Sequence, residues 1–116
     1  MKERTIKCGD IYWLELDNPK GNQYLNRRPY LVVDSDDYLT NSKLVCMVPL
    51  TSNLKTRSNY DVLVRMDGDS NLKHNSLAKL DHLYTFNRWQ LIDHGGNLSL
   101  ECMKLIHLNL RKHFDL

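Results

Sequence analysis

Leu44-Val45-Cys46-Met47-Val48-Pro49-Leu50, followed directly by Thr51-Ser52, is the stretch whose reading decides the fold. Seven nearly continuous apolar residues between polar loops predict a strand buried on both faces of a sheet. The run is also the longest apolar stretch in the chain, and a membrane span needs about 20 such residues. The expectation is therefore a protein that does not enter a membrane.

Strands are predicted on either side of that run. Ile11-Tyr12-Trp13-Leu14-Glu15-Leu16 is rich in aromatic and branched residues. Asp17-Asn18-Pro19-Lys20-Gly21-Asn22 then opens a loop that is expected to reach Arg28. Tyr30-Leu31-Val32-Val33 reads as the next strand, with Pro29 at its start, where a missing N–H is tolerated. Beyond the central run, the loop Thr51 to Asn59 leads to a strand over Tyr60–Arg65, and alternation over Ser76–Leu80 predicts a half-buried one. Tyr84 to Ile92 fits a short strand, a turn or one helical turn. Gly95-Gly96-Asn97 reads as a break, after which Ser99 can cap a helix starting near Leu100. Met103, Ile106, Leu110 and Phe114 give that helix one apolar stripe, and Arg111, Lys112 and His113 suit its C-terminal dipole. Strands followed by one packing helix predict an α+β, mainly β fold, a small twisted sheet or partly open barrel.

Bulk properties set the remaining bounds. A chain of 116 residues is expected to form a single domain, 1–116, with one real core. Hydrophobic residues at 41% and charged residues at 26% are ordinary globular values. The net charge of +2 neither demands nor excludes a polyanionic partner, but basic residues cluster at Lys2, Arg4 and Lys7, at Lys20, Arg27 and Arg28, and at Lys55 and Arg57. Cys8, Cys46 and Cys102 are odd in number and widely spaced, which fits a reducing, cytoplasmic setting. The charged N-terminus lacks the apolar core of a signal peptide.

Several site types find no support. There is no Gly-rich phosphate loop, no zinc spacing among the five histidines, and no nucleophile elbow. No metal or cofactor is therefore expected. What remains is the convergence of two loops, one running into Arg27-Arg28-Pro29 and one starting at Thr51-Ser52. A guanidinium matches a phosphate and a nearby hydroxyl adds a hydrogen bond, a pairing suited to RNA cleavage by the ribose 2′-hydroxyl. By spacing alone, an ordinary Arg-Pro loop and a Thr-Ser turn would look the same.

Four blocks in order carry a family resemblance. Cys8-Gly9-Asp10-Ile11-Tyr12-Trp13 resembles the G-D-x-[YW] opening of MazF/PemK toxins, and Arg28-Pro29-Tyr30-Leu31-Val32-Val33 their R-P-x-[LV]-V-[IV] strand. Val48-Pro49-Leu50-Thr51-Ser52 is similar to their x-P-[LI]-T-[ST] strand end. Ser76-Leu77-Ala78-Lys79-Leu80 with Thr85 resembles their S-x-[ALV] strand and the Q-[IL]-R-T segment after it.

The resemblance implies an SH3-like, partly open barrel of the CcdB/MazF type with a C-terminal helix, assembled as a homodimer. It implies a sequence-selective, metal-independent endoribonuclease that cuts single-stranded RNA and is neutralised by a cognate antitoxin. The family's catalytic Arg and Thr fall on Arg28 and Thr51, and its gating loop on Gly21. Arg27, Ser52 and Lys55 are candidate RNA contacts in the same loops. The family's usual Gln and Arg are replaced by His82 and Tyr84. Tyr84 could stack on a base, and His82 is suited to proton transfer near neutral pH; packing roles are equally compatible with both. Trp13 and Trp89 could stack on RNA, but an aromatic in a strand is more often a core residue, and the core is the expectation for both. Two rivals share the fold, a CcdB-like gyrase poison and an RNA-binding module without cleavage. The ending His113-Phe114-Asp115-Leu116 lacks the Trp-Gly-Ile tail of the former.

Overall fold

A computed structural model describes residues 5–15 and 27–116. Seven strands form an antiparallel sheet in the order β4-β5-β3-β2-β1-β7, with β6 also paired to β3. Their ranges are β1 Asp10–Glu15, β2 Arg27–Val32, β3 Leu44–Thr51, β4 Val62–Val64, β5 Ser76–Ala78, β6 Tyr84–Asn87 and β7 His94–Asn97. Helix α1 is one turn at Asp36–Leu39, and α2 runs from Leu100 to Phe114.

β3 is the axis of the fold, as its apolar character predicts. Its side chains alternate between two cores, Val45 and Met47 entering one and Val48 and Leu50 the other. One edge of β3 pairs with β2. The other pairs first with β6, over Leu44–Met47, and then with β5, at Leu50 and Thr51. That change of partner within one strand curls the sheet into a half-barrel. α2 closes the Val48–Leu50 face with Met103 and Ile106. Leu39 of α1, Phe86 of β6 and Leu91 close the other.

The predicted elements hold, with several corrections. Arg27 and Arg28 belong to β2 and not to the loop before it, because β1 pairs with them through Glu15 and Leu14. The strand expected over Tyr60–Arg65 keeps only Val62–Val64, since Tyr60 lies in a turn and the Asp61 N–H is drawn back to the Ser58 carbonyl at 3.3 Å. The strand over Ser76–Leu80 ends at Ala78, where the chain turns and the His82 N–H donates to the Lys79 carbonyl at 3.1 Å. The ambiguous segment resolves into β6 and a 3₁₀ turn at Arg88–Gln90. α2 starts as expected, with Ser99 accepting from the Cys102 N–H at 3.1 Å. Its stripe is buried at Met103 and Ile106, but Phe114 is 49% exposed. Trp89, expected in the core, is 76% exposed on the 3₁₀ turn.

Two elements escape the sequence reading. α1 lies in the Asp/Ser-rich break and is capped by the Ser35 hydroxyl, which accepts from the Tyr38 N–H at 3.2 Å. β7 occupies the Gly95-Gly96-Asn97 segment that reads as a break. It pairs with β1, and a Cβ on Gly95 would lie 2.6 Å from the Trp13 ring nitrogen. Trp13 takes the space a side chain there would fill.

Candidate active site

The site follows from the register of β2 and β3. Their last paired residues towards the site are Tyr30 and Pro49. Carried two residues beyond the paired stretch, that register would set Arg28 across from Thr51. Alternation places both on the face that Tyr30 and Pro49 present. Beyond the end of that core the sheet opens into a groove of about 700 Å³. Arg27, Arg28, Thr51, Ser52, His82 and Tyr84 all line it, although they come from three separate parts of the chain. Lys55 sits on the 3₁₀ turn Leu54–Thr56 and is not among the lining residues. Gly21 lies outside the described residues.

The two expected catalytic side chains differ in what already engages them. Among the described residues the exposed Arg28 guanidinium has no hydrogen bond or ion pair, so its donors are available. Its charge is felt by Tyr30, whose hydroxyl burial and the neighbouring Tyr84 push to higher pKa, with Arg28 opposing them. The Thr51 hydroxyl oxygen accepts from the Asn53 N–H at 3.2 Å. Its proton remains free to donate into the groove. Arg27 is tied down, ion-paired with Asp93 and stacked 5.5 Å from the centroid of the Trp13 ring. Tyr84 is 40% exposed and lies against Phe86 in a stacked pair, with Tyr30 edge-on to both.

Trp13, the last residue of the first motif block, reaches the groove from β1. Lys73 and His74, which no motif indicated, reach it from the loop before β5. Nothing in the local sequence marks those two, because only the tertiary fold brings these segments together. Lys79, also a lining residue, is buried and ion-paired to the buried Asp61 at 2.6 Å. Among the described residues, four cations and two histidines line the groove, and no carboxylate does. In a chain with 14 acidic residues against 16 basic ones, that segregation makes the groove a place for an anion.

Comparison with known proteins decides the family. The sequence model described as PemK-like, MazF-like toxin of type II toxin–antitoxin system matches residues 7–114. The chain belongs to this family. Endoribonuclease MazF2 of Mycobacterium bovis is 29% identical over 114 residues, covering 97% of this chain and 99% of that protein. A solved mycobacterial endoribonuclease in complex with its cognate antitoxin superposes with a TM-score of 0.72 at 20% identity, over 98% of this chain and 97% of that one. MazF of Deinococcus radiodurans gives 0.73 at 16% identity, over 98% and 100%. The two superpositions establish the MazF fold.

Within the MazF family frame, His82 acquires a setting that its sequence position does not reveal. Its Nδ1 lies 2.9 Å from Oδ1 of Asp81. The other oxygen of Asp81 accepts from the Ser58 hydroxyl at 3.1 Å. Partial burial pushes the Asp81 carboxyl up, but the hydrogen bonds from His82 and Ser58 outweigh it and hold the group below its ordinary value.

Proposed function

We propose that this MazF-family endoribonuclease toxin cuts single-stranded RNA, at a short preferred sequence and without a metal ion, by attack of the ribose 2′-hydroxyl on the adjacent phosphate. Arg28 and Thr51 act on that phosphate. The observation that carries the reading is the groove itself, where, among the described residues, Arg28 is unpaired and no carboxylate lies in the lining.

The chemistry follows from what each group can offer. Negative charge accumulates on the non-bridging oxygens as the 2′-oxygen attacks, and preorganised donors aimed at those oxygens lower the barrier. Arg28 provides a fork of N–H donors with a permanent charge. Thr51, its oxygen already accepting from Asn53, donates its proton to the same phosphate. Ser52 and Lys55 extend the phosphate track. Arg27, over the Trp13 ring and paired with Asp93, forms a wall for the strand. Tyr84 offers a ring to a base, an interaction worth about 1–3 kcal/mol in single-strand binders.

The reading extends to the assembly. The chain acts as one domain in the cytoplasm, as a homodimer, and a cognate antitoxin neutralises it. Trp89, Ile92 and the outward Leu105 and Leu108 of α2 are exposed apolar surface available to such contacts. Among the described residues no helix is long and apolar enough to cross a membrane.

The test is incubation of the purified protein with a long single-stranded RNA in EDTA, with end mapping, beside Arg28→Ala. Wild type should produce discrete cuts. Arg28→Ala should cut about 10²–10³-fold more slowly while folding normally, since the side chain is exposed. An absence of cuts from folded, antitoxin-free protein would sink the reading.

A further inference from the structure

Attack by a 2′-hydroxyl needs a group to receive its proton, and neither Arg28 nor Thr51 is suited to that. A guanidinium stays protonated at any physiological pH, and a threonine hydroxyl does not hold an extra proton. His82 lies in the same groove, and its ring is held from behind. The turn closed by the His82 N–H on the Lys79 carbonyl sets Asp81 and His82 side by side. Asp81 is itself fixed by Ser58, whose hydroxyl accepts from Lys79 Nζ at 3.0 Å. The relay ends in the buried Lys79–Asp61 pair. An ionised carboxylate only accepts, so the proton of the neutral ring sits on Nδ1 and the lone pair on Nε2.

We propose that His82 is the general base of RNA cleavage and that Asp81 is the residue that positions it. The inference rests on the ribonuclease reading above. Nε2 takes the 2′-hydroxyl proton as the 2′-oxygen–phosphorus bond forms and the bond from phosphorus to the 5′-oxygen breaks. The products are a 2′,3′-cyclic phosphate and a 5′-hydroxyl, whose oxygen takes its proton from water. The imidazolium then gives its proton to the hydroxide left behind, which restores both water and base.

The charged and titratable groups that share the groove with His82 are Arg27 and Arg28 of β2, Lys73 and His74 before β5, Lys79, and Tyr84 of β6.

Single-turnover cleavage of a long mixed-sequence RNA from pH ~5 to ~9 tests this, since a histidine of ordinary pKa near 6.5 changes charge in that span. The wild-type rate should rise with pH through a limb in the histidine range and then level. His82→Gln should lower the plateau about 10²–10³-fold and flatten the limb. Its affinity for a 2′-O-methyl RNA should stay within about threefold of wild type. Asp81→Asn should lower the plateau at least about tenfold at unchanged affinity for the 2′-O-methyl RNA, because an amide no longer fixes the proton on Nδ1. His74→Gln should keep the limb where it is. A flat wild-type profile, a limb that persists in His82→Gln or follows His74, or a loss confined to affinity would overturn the role of His82. If wild type still cuts in an Arg28-dependent way, only that role falls; if wild type cuts nothing, the ribonuclease reading falls with it.

Discussion

Lys79 carries its ammonium into the interior, where the Thr56 carbonyl, the Ser58 hydroxyl and the Asp61 carboxylate all accept from it. Asp61 is satisfied in turn by the N–H groups of Ser58, at 2.8 Å, and Leu80, at 3.2 Å. One ion pair therefore pins the loop between β3 and β4 against the end of β5, behind the groove. Breaking a buried pair from one side leaves the other charge uncompensated, at a cost of about 3–5 kcal/mol. Lys79→Met should destabilise the protein by about that amount in urea denaturation. A loss under about 1 kcal/mol would mean the pair is not buried in solution. Arg28 and Thr51 were legible at this scale because each sits in a short motif. Lys79, Asp61 and Ser58 were not, because 18 and 21 residues separate the lysine from its partners.

Strand β7 shows what element-scale reading misses. Two glycines in four residues argue against a strand by propensity, and the segment reads as a break. The tertiary fold requires them both. Trp13 lies over Gly95, and the loop before β5 passes so close to Gly96 that an added Cβ would meet the Asp69 and Ser70 carbonyl oxygens. The same approach lets the Asn97 N–H donate to Asp69 at 2.9 Å. Gly96→Ala should therefore cost about 1–3 kcal/mol through overpacking against backbone. Gly68, whose added Cβ would meet nothing within 4 Å, is the control, and its alanine variant should stay within about 0.5 kcal/mol of wild type. Equal melting temperatures for the two variants would contradict the close approach. β3 was legible for the opposite reason, since its alternation serves two cores and leaves no polar gap.

At the scale of the molecule, the groove concentrates positive charge that the net charge of +2 conceals. Two of its cations, Arg28 and Lys73, have no ion pair among the described residues. Each phosphate they neutralise releases counterions, with a slope of about −0.7 in log affinity against log salt for single strands. Binding of a 2′-O-methyl RNA should thus show a slope of at least about −1.4, shallower by about 0.7 in Arg28→Ala. Fluorescence anisotropy across a salt series measures it. A slope near zero would mean that the groove does not hold the RNA backbone.

The amino-acid sequence by itself determined the strands that run through apolar or alternating residues, the capped terminal helix, and the two positions, Arg28 and Thr51, whose neighbours form recognisable motifs. These features are written in residues adjacent in the chain, and local periodicity and turn chemistry are enough to read them. Only the tertiary structure decided that β3 changes partners from β6 to β5, that β7 is a strand, and that Lys73 and His74 line the same groove as Arg28. It also decided that Asp81, Ser58 and Lys79 stand behind His82. These facts depend on pairing between distant segments, where register and close backbone approach select the neighbours and no local pattern records the choice.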